Sequence, residues 1–314
     1  MSGILVSTVI PTRNRGGLLP GAVRSALEQE DARGDAISQE IIIADDASTD
    51  DTPSVATALV REHPYQVSYR RVCTGTPGGT RNAGARFARG RYLAFLDDDD
   101  VWLPERLTKA LTVFATAPDS GFVYGQATPT DDCLQPSGDA RLDFPALPLA
   151  QGHPVGAFMS APPHLNATLF RRDIFEEVGG FDRTLSGFED ADLLIRIVRR
   201  YPCVAIQEPL SLMRFHTDGL NNGAKIWQRY QDETRARRFH LSVRDSYRPR
   251  LTERIRLTLR YRGWYVHRFL QGVAKATRRE DARDSIRYAL LASPIHALKS
   301  PLLWRGLQMK GVGQ

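Results

Sequence analysis

Short apolar runs alternate with amphipathic stretches over the first hundred residues. Residues 5–10 (LVSTVI) form a β-rich run ended by Pro11 and the polar turn Thr12, Arg13, Asn14, Arg15. Leu18, Leu19, Ala22, Val23, Ala26 and Leu27 then recur at helical spacing, with Pro20 near the first turn. Residues 40–44 (EIIIA) make a second buried strand, stopped by DDASTD at 45–50, whose last members are N-cap types for a helix from Thr52 to about Glu62. Residues 67–72 read as a more polar third strand, 75–79 as a flexible loop, and 81–89 as a short helix closed by Gly90. Residues 93–96 are the fourth apolar run. This β-α-β-α-β-α-β order predicts an α/β fold with a largely parallel sheet and right-handed crossovers.

Further on, the pattern predicts a helix over 102–117, a strand over 121–126, a strand over 167–171 and a helical turn over 173–178. Next come a tight connection at 179–182, a helix over 191–200, and two brief strands at 204–206 and 210–215. Residues 127–163, rich in Pro, Gly and Asp, are the least regular stretch and read as room for a mobile loop. From about Lys225 the chain is helical. Ile255, Leu259, Tyr261, Trp264, Val266, His267 and Leu270 alternate with arginines, and Pro294 and Pro301 break the end into short pieces. The division expected is an α/β domain over 1–224 and a basic, mainly helical extension over 225–314. The extension's aromatics are expected to pack on the sheet domain while its arginines face water.

Charge sharpens that division. Residues 1–224 carry 21 Lys+Arg against 29 Asp+Glu, and residues 225–314 carry 21 against 7, so an acidic body precedes a tail of charge +14. Such a tail suits an anionic partner: lipid headgroups, nucleic acid or a polyanionic acceptor. The three cysteines, Cys73, Cys133 and Cys203, lack metal-ligand spacing and fit a reducing cytosol rather than a disulfide framework. No signal peptide is expected at the N-terminus, and no window approaches the roughly 18 apolar residues of a membrane span.

Candidate chemistry gathers at strand tips, where open α/β sheets bind ligands. Pro11, Thr12 and Arg13 follow the first strand, and Asp45 and Asp46 follow the second. A carboxylate there can accept a hydrogen bond from a ribose hydroxyl or a base N–H, or can close an Asx-type turn. Arg81 and Asn82 at a helix start beside a Gly-rich loop favour phosphate. The fourth strand ends in Asp97, Asp98, Asp99 and Asp100. Like charges that close repel unless a cation joins them, and oxygen-rich clusters suit Mg²⁺ or Mn²⁺. Glu189 and Asp190 offer either a general base or helix N-terminal charges, and His216 follows the last strand.

In this order the pieces resemble the family 2 glycosyltransferases of GT-A fold. The matching segments are VSTVIPTRNR, EIIIADDASTDDT, GGTRNAGARFARGRYLAFLDDDDVWLPERL, NATLFRRDIFEEVGGFDRTLSGFEDADLLIRI and MRFH, spanning residues 5–216. The resemblance implies that Thr12 and Arg13 contact the nucleotide, that Asp45 and Asp46 hold base and ribose, and that Arg81 contacts the diphosphate. It puts the family's DxD motif on Asp97, Asp98 and Asp99, with Asp99 and Asp97 at a Mn²⁺ or Mg²⁺ ion and His216 completing the metal shell. Asp190, with Glu189 its neighbour, takes the place of the base in an inverting transfer. The family more commonly has Gly where Ala47 stands. A nucleotide-sugar donor follows, UDP by default with TDP or GDP open. The acceptor expected is a sugar, glycan, lipid-linked or small molecule, and the location cytoplasmic, including the inner membrane face. Two other readings remain. A nucleotidyltransferase would want a phosphate loop with a basic residue directly after the first strand, where only PTRNRGG stands. A silent module holding an anionic polymer is permitted by Arg260, Tyr261, Arg262, Trp264 and Tyr265, with nucleic acid disfavoured as its ligand.

Overall fold

A computed structural model describes residues 4–31, 33–135, 152–214, 223–243, 247, 249–275 and 279–300. The chain divides into two compact units, one of Met1–Thr184 with Glu189–Phe215 and one of Leu185–Phe188 with His216–Gln314. In the first, β1 (Val6–Thr12), β2 (Gln39–Asp46), β3 (Val67–Val72) and β4 (Tyr92–Phe95) are joined by α1 (Leu19–Leu27), α2 (Thr52–Glu62) and α3 (Pro77–Ala85). β5 (Val101–Trp102), α4 (Arg106–Thr116), β6 (Phe122–Thr130), α5 (Val155–Ser160), β7 (Thr168–Arg171), α6 (Arg172–Glu177), α7 (Glu189–Val198) and β8 (Cys203–Arg214) complete it.

The sheet runs β3-β2-β1-β4-β7-β6-β8-β5. β1 pairs in parallel with both β2 and β4, β2 with β3, and β6 with β8, whereas β7 runs antiparallel to its neighbours and β5 to β8. The sheet is therefore mixed and mostly parallel. Strand order reverses between β1 and β4, so a crevice opens beyond their carboxyl ends, where Thr12 and the aspartate run stand. β1, β2 and β4 are buried along nearly their whole length, which explains the continuous apolar runs of β2 and β4. Val6, Ile10, Ile41, Ile43, Ala94 and Leu96 face one core with α1. On the opposite face Phe95 meets Phe181 edge-on at 5.0 Å. Each of the Val, Ile, Leu and Phe side chains among these contributes about 1.5–3 kcal/mol on burial.

Several boundaries differ from those expected. β1 continues through Pro11, which pairs with Ala44. The Val9 carbonyl accepts from Leu96 N–H on the β4 side, and Pro11 faces the same side, where β4 has already ended, so its missing N–H breaks no ladder. α3 starts at Pro77, inside the supposed loop. Thr76 accepts from Gly79 N–H as N-cap and Pro77 takes the first turn, which outweighs two glycines. The glycines serve close packing instead: a Cβ at Gly84 would lie 2.5 Å from Val9 Cγ1. Trp102 belongs to β5, and α4 begins only at Arg106. β6 extends to Thr130 and β8 is one strand, not two, because register shifts opposite Gln126 keep the pair together across Pro209. The irregular stretch thus contains the end of β6 and α5, while 136–151 lie outside the described residues.

The second unit holds α8 (Gly223–Ser242), α9 (Leu251–Lys275), α10 (Arg279–Ala292) and α11 (Pro294–Lys299). Tyr230, Tyr261, Tyr265, Val266, Phe269 and Leu270 form a core among these helices, where the sequence reading sends the aromatics against the sheet. Tyr265 and Tyr230 stand 5.1 Å apart, edge to face. Among the described residues no helix is long and apolar enough to cross a membrane.

Candidate active site

At the tip of β4 the ladder ends with Leu96, and the next amide, Asp97 N–H, is donated to Asn166 Oδ1 at 3.1 Å. Asp100 N–H returns to the Asp97 carbonyl at 3.1 Å, so the four aspartates occupy one tight turn and diverge. Asp97 accepts from Arg81 Nη2 at 2.6 Å. Asp98 and Asp99 both accept from Arg15 Nη1. Asp100 points inward, accepting from Arg214 N–H at 2.7 Å and from Asn166 Nδ2. Asn166 is a crosspiece between the ends of the run. It is fixed through its own carbonyl by Trp102 Nε1 at 2.9 Å and by the fully buried Arg106.

This packing separates the carboxyls electrically. Burial opposes ionisation of Asp97, but the Arg81 guanidinium, with Arg15 beyond it, holds it below the usual carboxylate range. Burial pushes Asp98 up to about 7, against the Thr12 hydroxyl and Arg15 beside it. Asp100 is pushed up to about 9 by burial and then by the charges of Asp97 and Asp99. Asp97, Asp100 and His164 bring one ligand atom each to within 4.8 Å of one another. Burial lowers the His164 pKa, favouring neutral imidazole, and its Nδ1 is sealed from solvent with no hydrogen-bond partner. Two carboxyl groups and a neutral imidazole so grouped make a donor set able to hold a divalent cation, once Asp100 has given up its proton.

Arg81 ties this turn to the other acidic pair. Its Nη1 donates to Glu189 Oε1 at 3.1 Å, and it lies 5.7 Å from the Phe181 ring centre. Burial works against its charge, yet Asp97 and Glu189 outweigh that and raise its pKa. α3 reaches α7 because Gly78 has no side chain: a Cβ there would stand 3.1 Å from Phe181 Cβ and 3.3 Å from Glu189 Cγ. Asn82 exchanges two hydrogen bonds with the Phe181 backbone, at 2.8 and 2.9 Å, and so fixes the turn before α7. Asp190 accepts from Ala191 N–H at 2.7 Å, and burial raises its pKa against that bond and Arg81. A carboxylate so raised is a stronger proton acceptor than a free one.

The remaining expected residues lie beside the crevice. Thr12 is buried at the end of β1. Arg13, exposed, reaches Asp46 at 3.4 Å. Asp45 has no exposed surface: Oδ1 closes the turn by accepting Ser48 N–H at 2.9 Å, and Oδ2 accepts the Tyr69 hydroxyl at 2.7 Å. Asp46 pins the amides of Thr74, at 2.6 Å, and Gly75. Asp99, expected at the metal, is paired with Arg15, while Asp100 and His164 stand with Asp97. His216 lies outside the described residues. His164, Asn166, Arg15 and Arg214 have no site role in the sequence reading. Asn166 opens the quoted segment NATLFRR, and Arg15 closes VSTVIPTRNR, so both were within its reach.

Comparison with known proteins follows the same lines. The family described as Glycosyl transferase family 2 matches residues 7–179. An uncharacterized glycosyltransferase of Haemophilus influenzae is 27% identical over 219 residues, 68% of this chain and 69% of that one. The Escherichia coli UDP-Glc:alpha-D-GlcNAc-diphosphoundecaprenol beta-1,3-glucosyltransferase WfaP is 34% identical over 112 residues, 36% of this chain. The chain spans 42% of that relative's length. Among solved structures, the mannosyltransferase PcManGT from Pyrobaculum calidifontis, in complex with GDP-Man and Mn²⁺, superposes with TM-score 0.62 at 20% identity. It covers 99% of this chain and 88% of its own, and at that identity it speaks for the GT-A fold alone. With residues 7–179, more than half its length, matched by the family, the chain belongs to glycosyl transferase family 2.

Proposed function

We propose that this glycosyltransferase moves a sugar from a nucleoside-diphosphate donor, a UDP-sugar first, to an acceptor hydroxyl with inversion at the anomeric carbon. The observation that carries the reading is the Asp97–Arg81–Glu189 bridge, which joins the β4 tip to the start of α7, 92 positions further along the chain. Asp190 takes the acceptor hydroxyl proton, and the freed oxygen attacks the anomeric carbon. The bond from that carbon to the β-phosphate oxygen breaks on the opposite side, and its electron pair leaves with the nucleoside diphosphate. General-base assistance of this kind contributes about 10² to 10⁴ in rate. Arg81 meets the diphosphate, Thr12 and Arg13 line the nucleoside, and Asp46 is the carboxylate of its pair nearest Arg13. Asp45, wholly enclosed, shapes the turn that presents it.

Asp97, Asp100 and His164 would hold a divalent cation, with Asp99 joining once Arg15 lets it go. Such an ion offsets charge gathering on the leaving phosphate. An imidazole beside two carboxylates favours Mn²⁺ over Mg²⁺. A lipid-linked acceptor is supported by the relative named for a diphosphoundecaprenol substrate and by one edge of α9. There Leu251, Ile255 and Leu259 are exposed at successive turns among Arg250, Arg254, Arg256 and Arg260, which fits the surface of an anionic membrane on its cytoplasmic side.

The test is thermal unfolding with UDP-glucose, UDP-GlcNAc or GDP-mannose, each with and without Mn²⁺, followed by measurement of nucleotide release. A ligand at 100 times its dissociation constant adds about 2.7 kcal/mol to stability. One donor is expected to raise the midpoint only with the metal and to release its nucleotide. Three donors without effect, with no release, sink the reading.

A further inference from the structure

His164 caps, and Asn166 lies within, a single turn of 3₁₀ helix over Leu165–Ala167 that leads directly into β7. The His164 carbonyl accepts from Ala167 N–H at 3.2 Å and from the Thr168 hydroxyl at 2.9 Å, so its backbone is tied to the strand behind it. Asn166 is wholly buried, and its side-chain amide meets both ends of the aspartate run. Oδ1 accepts the Asp97 N–H, which stands past the last rung of the β4 ladder, and Nδ2 donates to Asp100 Oδ2. One short segment therefore carries one member of the Asp97, Asp100 and His164 group and grips the other two.

The segment is held in turn by Trp102 and Arg106. Trp102 Nε1 and Arg106 Nη2 both donate to the Asn166 carbonyl, at 2.9 and 3.3 Å, and Nη2 also donates to the Thr168 carbonyl at 2.6 Å. The Arg106 guanidinium lies 4.1 Å from the Trp102 ring centre, and its Nε and Nη1 are buried with no hydrogen-bond partner. A charge enclosed on those terms is a poor stabiliser of the fold.

We infer that Asn166 is a positioning residue for the cation site. Its amide sets how the Asp97 and Asp100 carboxyls stand to the His164 ring, and Trp102 and Arg106 hold it in that register. The position needs an acceptor and a donor side by side. Leucine matches the shape but offers neither, and ionised aspartate can only accept, which would turn a second negative charge on Asp100. The inference rests on Asp97, Asp100 and His164 being the cation's ligands. Groups that orient metal ligands in this way typically account for about 10- to 100-fold in metal affinity.

The experiment titrates Mn²⁺ into the full chain, alone and with UDP or GDP, and follows the free ion by electron paramagnetic resonance. Asn166→Leu is expected to bind Mn²⁺ about 10- to 100-fold more weakly while keeping a native circular dichroism spectrum. Trp102→Phe keeps a ring against Arg106 and removes only the Nε1 bond, so a smaller loss in the same direction is expected; it carries the comparison if Asn166→Leu does not fold. Once His164→Ala has removed the third ligand, adding Asn166→Leu should cost less affinity than it does alone. Wild-type affinity in Asn166→Leu and Trp102→Phe, with His164→Ala weakened, overturns the inference and leaves the cation site standing. Strictly additive losses overturn it too, since Asn166 would then act without reference to His164. No Mn²⁺ binding by the wild type, or none lost in His164→Ala, removes the cation site as assigned and this inference with it.

Discussion

Replacing Arg81 by methionine keeps most of its aliphatic stem and strips the centre of the site of its cation. The side chains of Arg81 and Glu189 are 9% and 11% exposed, so their pair is buried, whereas Asp97 is 28% exposed and partly screened. Removing one partner of a buried pair costs about 3–5 kcal/mol, and an exposed pair about 0–1. Loss of the contact with the Phe181 ring adds about 0.5–1 kcal/mol. Against this, Arg81 Nε is buried with no partner, and deleting it relieves about 1–3 kcal/mol. The net expected is about 3 kcal/mol, and at about 2–4 °C per kcal/mol the sheet unit should melt some 6–12 °C earlier. Thermal and urea unfolding at neutral pH measure it, with circular dichroism to confirm the native fold at low temperature. Adding Glu189→Gln, which discharges the stranded carboxylate, should return at least about 1 kcal/mol. A loss under about 0.5 kcal/mol, or strict additivity of the two changes, would show that the bridge does not hold the two acidic motifs together.

Other outcomes follow from the same geometry. Asp190→Asn is expected to keep donor binding, read as the donor-induced rise in unfolding midpoint, while transfer falls by about 10² or more; equal rates would exclude Asp190 as the base. Asp98 and Asp100 have folded pKa values of about 7 and about 9, above their unfolded values, so the folded state binds their protons more tightly. Their contribution is whole below about pH 4 and is lost as pH rises through those values, whereas Asp97, shifted down, matters only in more acid solution. In EDTA the midpoint of the sheet unit should therefore fall from about pH 5 to pH 9, less so in Asp100→Asn; a rise across that range would refute the burial argument. Ala47 sits at φ +55°, where an L-residue pays about 1–2 kcal/mol and glycine little, offset by about 0.5–1 of glycine's chain entropy. Ala47→Gly should thus stabilise by about 0.5–1 kcal/mol, and a lowered midpoint would contradict the strain.

What was legible in the chain was what local pattern controls. An apolar run cut off by four aspartates marks a buried strand with a charged tip wherever it occurs, and the alternation of runs and amphipathic stretches fixes the order of β1 to β4. The start of α3 was misread because two glycines suggest a loop, although Thr76 and Pro77 carry a cap and a first turn in plain view. β8 looked like two strands because Pro209 interrupts it, and only the partner strand reveals the shift that absorbs the break. The Arg81–Glu189 pair spans 108 positions and has no local signature. His164 stood alone in a proline-rich stretch, and what distinguishes it is two carboxylates brought from β4 by the fold.

Arg15 holds Asp98 and Asp99 much as an arriving ion would, and Arg81 does the same for Asp97. The site therefore carries internal counter-ions, and on the function proposed above loading the donor would be an exchange of partners rather than the filling of a void. Affinity for metal alone would then be set by a difference between two attractions, and the diphosphate, itself able to receive the displaced guanidinium, would tip the balance. Calorimetry should accordingly find Mn²⁺ binding weakly by itself and far more tightly with UDP, and Arg15→Ala should narrow that gap from the weak side.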